Sequence, residues 1–418
     1  MQTRLSPEFA GTTEGLEAEA ILRKCVHCGF CTATCPTYQL LGDELDGPRG
    51  RIYLMKQVLE GEKPTRKTQM HLDRCLTCRN CESTCPSGVQ YGHLLDIGRK
   101  IVDAKVPRPT PEKALRWALK EGLPSPLFAP AMKMGQAVRG LVPAALQAKV
   151  PAKQEAGAWP TRSHARKVLM LAGCVQPSMM PNINAATARV LDAAGIQTVI
   201  APKAGCCGAV KFHLNDQDGG RAEMRANIDA WWPMIASGEV EALVMNASGC
   251  GVTVREYGHF LKDEPAYAAK AQRIGELTRD LSELLPAIVA ALRQSRPERV
   301  PGPPAGDAGA GRHLAFHPPC SLQHGQQLRG AVEQHLAAFG FKVQVARSES
   351  HLCCGSAGTY SVLNPDLSHQ LRDRKLGHLG ELEPDVIVSA NIGCITHLQS
   401  GTPTPVRHWV EVLDEHLR

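Results

Sequence analysis

The chain has 418 residues, and at about 100–200 residues per domain its length predicts two to four domains. Hydrophobic residues make up 43% and charged residues 21%, which are ordinary globular values and exclude a wholly disordered or fibrous protein. Lys+Arg number 47 and Asp+Glu 41, a net charge of only +6, and aromatic residues are 5%, so the composition disfavours a nucleic-acid binder.

Cysteine is unusually frequent, with 16 residues. A secreted disulfide protein would explain this frequency, but such proteins are usually small and follow a signal peptide. The N-terminal segment MQTRLSPE contains no apolar stretch. We therefore expect a reducing cytosol, where many cysteines indicate metal or redox chemistry. No run of 18 apolar residues occurs, so we expect no transmembrane helix.

Two cysteine runs with identical spacing lie near the N-terminus. Each reads Cys-x2-Cys-x2-Cys-x3-Cys-Pro, the run that binds [4Fe–4S] clusters in bacterial ferredoxins, where the fourth cysteine ligates the other cluster. The spacing predicts two clusters with crossed ligands; zinc is a poor alternative because it prefers two pairs of ligands. The first cluster set is Cys25, Cys28, Cys31 and Cys85, and the second cluster set is Cys75, Cys78, Cys81 and Cys35.

The segment between the two runs contains DGPRGRIYLMK, which predicts a turn that enters a helix. A helical insert is typical of dicluster domains that dock onto flavoprotein subunits. Arg49 and Arg51 are predicted either to lie near a cluster or partner, or to be solvated charges at a helix start.

A basic segment follows the second run. From residue 98 to 153 there are eleven Lys/Arg and three Asp/Glu. Trp117, Leu119, Leu123, Leu127 and Phe128 lie among these charges. The segment predicts either a connector that docks on the next domain or a surface that lies against an anionic membrane.

Beyond residue 165, short β-rich runs alternate with helical stretches, which predicts an α/β fold with a mainly parallel sheet. The predicted strands are 168–172, 198–201, 242–246, 313–316, 342–346 and 386–389. The predicted helices lie near 183–195, 221–237, 328–339 and 365–379. The Pro- and Gly-rich segment 296–311 marks a linker between two such units.

These two units read as copies of each other. Cys174 matches Cys320, Cys206-Cys207-Gly208 matches Cys353-Cys354-Gly355, and Cys250 matches Cys394, at separations of 146, 147 and 144 residues. Adjacent cysteines do not easily form a disulfide with each other, but a backbone bend at the following glycine lets both face one metal site. The eight cysteines are therefore candidate metal ligands, with buried structural cysteines as the alternative.

Together these features predict an α+β multidomain protein. The expected domains are a helical dicluster ferredoxin-type domain at 1–105, a basic helical connector at 106–165, and two related α/β cysteine-rich domains at 166–304 and 305–418. No Gly-x-Gly-x-x-Gly follows a strand, no ATP-binding loop occurs, and nothing resembles an FAD-binding segment. We therefore expect the organic cofactor in another subunit.

The Cys-Cys-Gly repeats resemble the cysteine-rich CCG domain of heterodisulfide reductase B-type subunits and of respiratory dehydrogenase iron–sulfur subunits. In the fullest form of this family each repeat ends in Cys-x2-Cys and holds an unusual [4Fe–4S] cluster with five thiolates. Here the repeats end at Thr253 and His397, without the last cysteine. The resemblance thus implies a further cluster or metal in the repeats only as an option, to which His397 could still contribute.

Three more histidines lie near the second repeat's cysteines in the sequence. His317 precedes Cys320 by three residues, and His324 and His351 follow. We expect these to be hydrogen-bonded core histidines rather than ligands.

Over almost its whole length the chain resembles the iron–sulfur subunits of glycolate oxidase, a bacterial glycolate dehydrogenase. The resemblance rests on the two cluster runs, the DGPRGRIYL insert and the paired Cys-Cys-Gly repeats. It implies an electron-transfer subunit with two [4Fe–4S] clusters, peripheral to the cytoplasmic side of the inner membrane. FAD would belong to a partner that oxidises glycolate to glyoxylate, and often D-lactate, and to a second FAD-binding-type subunit, with quinone as acceptor.

Other functions remain open at this point. The chain could serve a lactate or an anaerobic glycerol-3-phosphate dehydrogenase as its iron–sulfur subunit. A heterodisulfide-reductase-like disulfide reductase would use the repeats for chemistry, and a non-catalytic scaffold would carry structural clusters.

Overall fold

The structure, a computed structural model, describes residues 1–141, 147, 150–303 and 312–418. The predicted domain boundary at 304/305 and half of the predicted linker, residues 304–311, therefore lie outside the described residues, as do parts of the basic segment.

The N-terminal part is helical, as the insert predicts. Its helices are α1 (Thr13–Lys24), α2 (Phe30–Ala33), α3 (Pro36–Leu41), α4 (Pro48–Leu59), α5 (Arg66–Asp73), α6 (Asn80–Ser83) and α7 (Tyr91–Lys105), with a 3-10 turn at Glu44–Asp46. Helix α4 begins with Pro48, a position where a proline costs no helical hydrogen bond. Leu22, Met55 and Leu94 join α1, α4 and α7 in a fully buried core.

The basic segment forms α8 (Thr110–Gly122), α9 (Phe128–Ala137) and a 3-10 turn at Arg139–Leu141. Helix α8 packs against residues 209–213 of the first repeat, and α9 packs against residues 176–179. An ion pair of 2.9 Å between Lys120 Nζ and Asp216 Oδ2 joins α8 to the first repeat. The segment is thus docked on the first repeat, as one of the two predictions has it.

The first repeat is a four-stranded parallel sheet with helices around it. Its strands are β1 (Arg166–Met170), β2 (Ile196–Val199), β3 (Ala242–Met245) and β4 (Thr278–Asp280), in the order β2-β1-β3-β4. Its helices are α10 (Gln176–Met179), α11 (Pro181–Ala193), α12 (Ala209–His213), α13 (Gln217–Ala236), α14 (Ser248–Arg255), α15 (Tyr257–Phe260), α16 (Ala268–Leu277) and α17 (Leu285–Ser295), with 3-10 turns at Leu281–Leu284 and Pro297–Arg299.

The second repeat has the same architecture. Its strands are β5 (His313–His317), β6 (Lys342–Val345), β7 (Val386–Ser389) and β8 (Val406–His408), in the order β6-β5-β7-β8. Its helices are α18 (Ala331–Ala337), α19 (Tyr360–Leu363), α20 (Pro365–Gly380), α21 (Ile392–Gln399) and α22 (Trp409–Leu417), with a π turn at Ser321–Gly325. The identical strand order confirms the predicted duplication.

The strand order decides where the cysteines meet. In the first sheet Val168 lies opposite Thr198 on one side and Ala242 on the other, so β1 is central. The chain leaves β1 to one side and returns to the other, and a parallel sheet binds ligands beyond the carboxyl ends of its strands at such a switch point. The cysteines of each repeat follow the first three strands of its sheet, and therefore converge there.

The two repeats share one hydrophobic core. It contains Val168 and Leu191 of the first repeat together with Leu314 and Trp409 of the second, all fully buried. Helix α11 packs against α22 across the junction. Within the described residues, no helix combines the length and the apolar character that crossing a membrane requires.

Candidate metal centres

The first cluster set lies between α1, α2 and α6. Its four thiols, Cys25, Cys28, Cys31 and Cys85, line one small cavity, and Cys28 is exposed at its rim. Burial, with neighbouring thiols at Cys25, Cys28 and Cys85, raises the pKa of Cys31 to about 11. Four thiolates packed so closely repel one another, and a positive metal core removes that repulsion. The donor set therefore fits a cluster ligated by four thiolates.

The second cluster set is brought together in the same way. Burial is the main reason that the pKa of Cys81 lies well above its ordinary value, and nearby Cys78, Cys75 and Cys35 add to it. These three neighbours are the other members of the predicted crossed set. The structure thus groups the eight cysteines into the two crossed sets, and their role as ligands stays a prediction.

Matching left-handed backbone turns orient the sulfurs in the two cysteine runs. His27 and Gly29 in the first run have φ of 57° and 85°, and Thr77 and Arg79 at the matching positions of the second have 52° and 57°. Left-handed backbone is uncommon outside glycine, and such strain tends to mark functional sites. In the second turn the Thr77 N–H donates to Cys75 Sγ at 3.4 Å.

Arg51 is fully buried beside the second cluster set, so the prediction of a solvated charge is wrong for this residue. Its Nε donates to the His71 carbonyl at 2.7 Å, and its Nη2 contacts Asp46 Oδ1 at 3.3 Å. Burial raises the pKa of Cys35, and the positive charge of Arg51 opposes that rise. Arg51 therefore places positive charge next to a predicted ligand.

Arg49 lies beside the first cluster set. It pairs with Glu44 at 2.6 Å between Nε and Oε1, with about a third of its side chain exposed. A Cβ at Gly29 would lie 2.9 Å from Arg49 Nη1, so the guanidinium stands directly over the turn that carries Cys28 and Cys31. Both arginines are thus close to a cluster set.

The cysteines of the first repeat form a row of interacting thiols. Cys174 contacts Cys206, and Cys207 contacts both Cys206 and Cys250. Hydrogen bonds from Cys174 and Cys207 lower the pKa of Cys206. Glu223 of α13 also faces this row, where burial and then the Cys206 sulfur raise its pKa to about 8. The sequence offers no signal for Glu223, because it approaches from a separate helix.

The cysteines of the second repeat form a matching row. Cys320 contacts Cys353, which contacts Cys354, which contacts Cys394. Cys320 also contacts Cys78 of the second cluster set. The dicluster domain and the second repeat therefore meet thiol to thiol, a contact that no spacing in the sequence indicates.

The glycine after each cysteine pair is required by the backbone. Gly208 and Gly355 have φ of 93° and 89°, and the N–H of each donates at 3.4 Å to the sulfur two residues earlier, Cys206 or Cys353. A Cβ at Gly355 would lie 2.4 Å from the Ser368 carbonyl oxygen. The bend predicted at these glycines therefore exists in both repeats.

The histidines divide by their hydrogen bonds. His324 is bonded as predicted, with Nδ1 2.8 Å from Ser83 Oγ and Nε2 2.8 Å from the His351 carbonyl. The Nε2 of His397 is 3.1 Å from Ser368 Oγ, so this ring nitrogen has a hydrogen-bond partner. His317 is different: it is fully buried, and neither ring nitrogen has a hydrogen-bond partner among the described residues. The prediction of a hydrogen-bonded histidine is wrong there.

A central cavity of about 510 Å³ connects these elements. Both thiol rows open into it, and Cys78 reaches it from the dicluster domain. Leu119, Leu123, Phe128 and Met132 of the connector close one side. Of the five apolar residues that the sequence singles out in this segment, Leu119, Leu123 and Phe128 thus face inward, whereas Trp117 and Leu127 stay 64% and 74% exposed.

Comparisons with known proteins agree with this architecture. Residues 21–89 match the 4Fe-4S dicluster domain family, and residues 168–255 and 314–399 each match the cysteine-rich (CCG) domain family. The chain is 55% identical over 422 residues to the glycolate oxidase iron–sulfur subunit of Escherichia coli, covering 100% of this chain and 99% of that protein.

Two further relatives are less similar in sequence, and one of them matches only part of this chain. A probable glycolate oxidase iron–sulfur subunit of Bacillus subtilis is 30% identical over 418 residues, covering 92% of this chain and 89% of that protein. Lactate utilization protein A of Bacillus licheniformis is 26% identical over 261 residues, covering 59% of this chain and 99% of that protein. The dicluster domain, the two cysteine-rich repeats and the full-length identity together show that the chain belongs to the family of glycolate oxidase iron–sulfur subunits.

Proposed function

We propose that this protein is the electron-transfer subunit of a glycolate-oxidising complex. The observation that carries the proposal is a series of thiol sites across the protein. It begins at the first cluster set, where Cys28 is exposed, and continues through the second cluster set to the contact between Cys78 and Cys320. The full-length identity favours glycolate over lactate as the donor, because the lactate utilization relative matches only 59% of this chain. We also propose the domain division at 105, 165 and 304, with the two cluster sets as the ligands of two clusters.

When bound, a [4Fe–4S] cluster supplies one-electron chemistry, with a potential set by charge, hydrogen bonds and burial. The surrounding residues set these conditions. Cys25 of the first set and Cys35 and Cys81 of the second are buried, so both sets are partly shielded from water. The Thr77 N–H bonds to a sulfur, and Arg51 adds positive charge, two features that favour a more negative, reduced state.

The first cluster set is the side that a redox partner can approach. Cys28 is exposed, and Val26 and Phe30 next to it expose 68% and 61% of their surface. Apolar residues around an exposed ligand suit a protein partner. We propose that the FAD-containing subunit docks here, because this chain carries no flavin-binding motif and the two-electron step needs an organic cofactor.

The exposed side of the connector supports a peripheral position at a membrane surface. We propose that this surface is the cytoplasmic side of the inner membrane, with quinone as acceptor. Trp117, Leu127 and Met134 expose 64%, 74% and 68% of their surface, and Lys113 and Lys133 lie on the same segment. Exposed apolar residues beside lysines suit a surface of anionic lipid.

Reduction of the assembled complex by glycolate tests the electron-transfer role. After purification without oxygen, we expect about eight irons in the dicluster domain, with signals in electron paramagnetic resonance (EPR) spectra that glycolate generates only when the flavoprotein is present. Cys28→Ser should lose about four irons. Val26→Asp should keep the iron but slow reduction by the flavoprotein, whereas Met134→Asp, an equally exposed apolar position elsewhere, should change neither.

The membrane proposal has its own test. Vesicles containing phosphatidylglycerol should bind the complex, and the double variant Trp117→Glu/Leu127→Glu should bind at least ten-fold more weakly. Val26→Asp is the matched control and should bind normally. Equal binding by all three proteins would contradict the membrane position without touching the electron-transfer role.

A further inference from the structure

His317 lies at the carboxyl end of β5, one of the two inner strands of the second sheet. Its backbone is fixed by a hydrogen bond of 2.9 Å from Ser389 Oγ to its carbonyl oxygen. Its side chain is 1% exposed, and both ring nitrogens lack a hydrogen-bond partner among the described residues. A buried polar group without a partner costs free energy and calls for an explanation such as a bound ion.

Two thiols face this imidazole. One nitrogen of His317 and the sulfurs of Cys354 and Cys394 all lie within 4.8 Å of one another, and all three residues are buried. Bond lengths of a tetrahedral metal ion with sulfur and nitrogen ligands place such donors roughly 3.5–3.8 Å apart. A small contraction would therefore bring the three donors into one coordination sphere.

The two repeats differ at this point. The position 146 residues before His317 is Leu171, which is also buried but offers no ligand. His397 occupies the position where the fullest form of the cysteine-rich family has its last cysteine. Its Nε2 is hydrogen-bonded to Ser368 Oγ. The imidazole is therefore a feature of the second repeat's site.

A metal in the repeats is already an option from the resemblance; we propose that His317 is a ligand to it, its imidazole joining the thiolates of Cys354 and Cys394 around an iron or zinc centre in the second repeat. Mixed nitrogen and sulfur ligands suit both metals. This centre is additional to the two cluster sets and lies at the far end of the row of thiols that begins at Cys320, the residue that contacts Cys78. Its presence does not depend on which donor the complex oxidises.

Metal analysis of the full chain, purified without oxygen, tests the proposal. We expect metal beyond the roughly eight irons of the dicluster domain. About one zinc would identify a single ion, and extra iron with acid-labile sulfide would identify a cluster; either supports the proposal. His317→Ala should lose this additional metal and keep the eight irons, and the control His397→Gln should keep all of it.

Spectroscopy covers the case in which His317→Ala folds poorly. X-ray absorption of the additional metal should show a nitrogen ligand together with sulfur, and for an iron centre ¹⁵N-histidine labelling should change the nitrogen couplings in pulsed EPR. His317→Cys should keep the metal but lose the nitrogen signal. A wild-type chain with only eight irons and no zinc, or full metal content in His317→Ala, would overturn the proposal.

Discussion

The ion pair between Arg79 and Glu256 ties the dicluster domain to the first repeat. The Arg79 Nη2 lies 2.7 Å from Glu256 Oε2, and a second contact joins the other nitrogen and oxygen. The side chains are 13% and 21% exposed, so the pair is largely withdrawn from water. Burial opposes ionisation of Glu256, but the His93 imidazole, whose Nε2 is 3.4 Å from Glu256 Oε1, and the Arg79 guanidinium outweigh it and lower the pKa of Glu256 to about 2.

Glu256→Gln should therefore destabilise the fold. The fall of the pKa from 4.5 to about 2 corresponds to about 3 kcal/mol of stabilisation when Glu256 is ionised. Removing one partner of a buried pair leaves the other charge uncompensated, which costs a similar amount. Because the folded pKa is depressed, this stabilisation is present above about pH 4.5 and is lost as the pH falls towards 2.

Urea unfolding without oxygen, followed by the fluorescence of the buried Trp231, measures this loss. Glu241→Gln is the matched control, because its pair with Arg166 is about half exposed and should contribute less than ~1 kcal/mol. In an Arg79→Gln background the Glu256→Gln effect should shrink by most of its value. An equal effect in both backgrounds, or one no larger than that of the control, would refute the reasoning.

Two further substitutions test buried features near the cysteines. Arg51→Leu should cost about 3–5 kcal/mol in urea unfolding, because it leaves the fully buried Asp46 without this partner, whereas Arg49→Leu, whose ion pair is partly exposed, should cost about 1 kcal/mol or less. Gly355→Ala should lower the melting temperature more than Gly358→Ala. Both glycines have positive φ, but a Cβ meets a backbone oxygen at 2.4 Å only at the first and open space at the second.

Most of the predictions about the candidate site came from the spacing of the cysteines. It indicated both cluster sets, the duplication and the bend after each cysteine pair, because these depend on residues that are close in the chain. Six strands were predicted to within two residues at each end, since each is a short apolar run. The edge strands β4 and β8 were missed: they have three residues each, as in Thr278–Asp280, and polar side chains that break the pattern.

The site required the tertiary structure wherever partners come from distant elements. His317 looks like an ordinary core histidine in the sequence, and only the approach of Cys354 and Cys394 from two other elements shows otherwise. The contact between Cys78 and Cys320 spans two domains and has no periodicity to reveal it. Arg51 was assigned a possible solvated role because the sequence does not show that Asp46 and His71 enclose it.

Among the sixteen cysteines, all within the described part of the chain, Cys28 alone is exposed. Thiolate oxidation follows accessibility, so air should attack the protein in a fixed order that begins at this residue. Damage to Cys28 would remove the contact point for the redox partner while the buried thiols stay intact. A preparation handled in air would then keep its fold and about half of its iron, yet no longer accept electrons, and measured iron content would overstate the fraction of working protein.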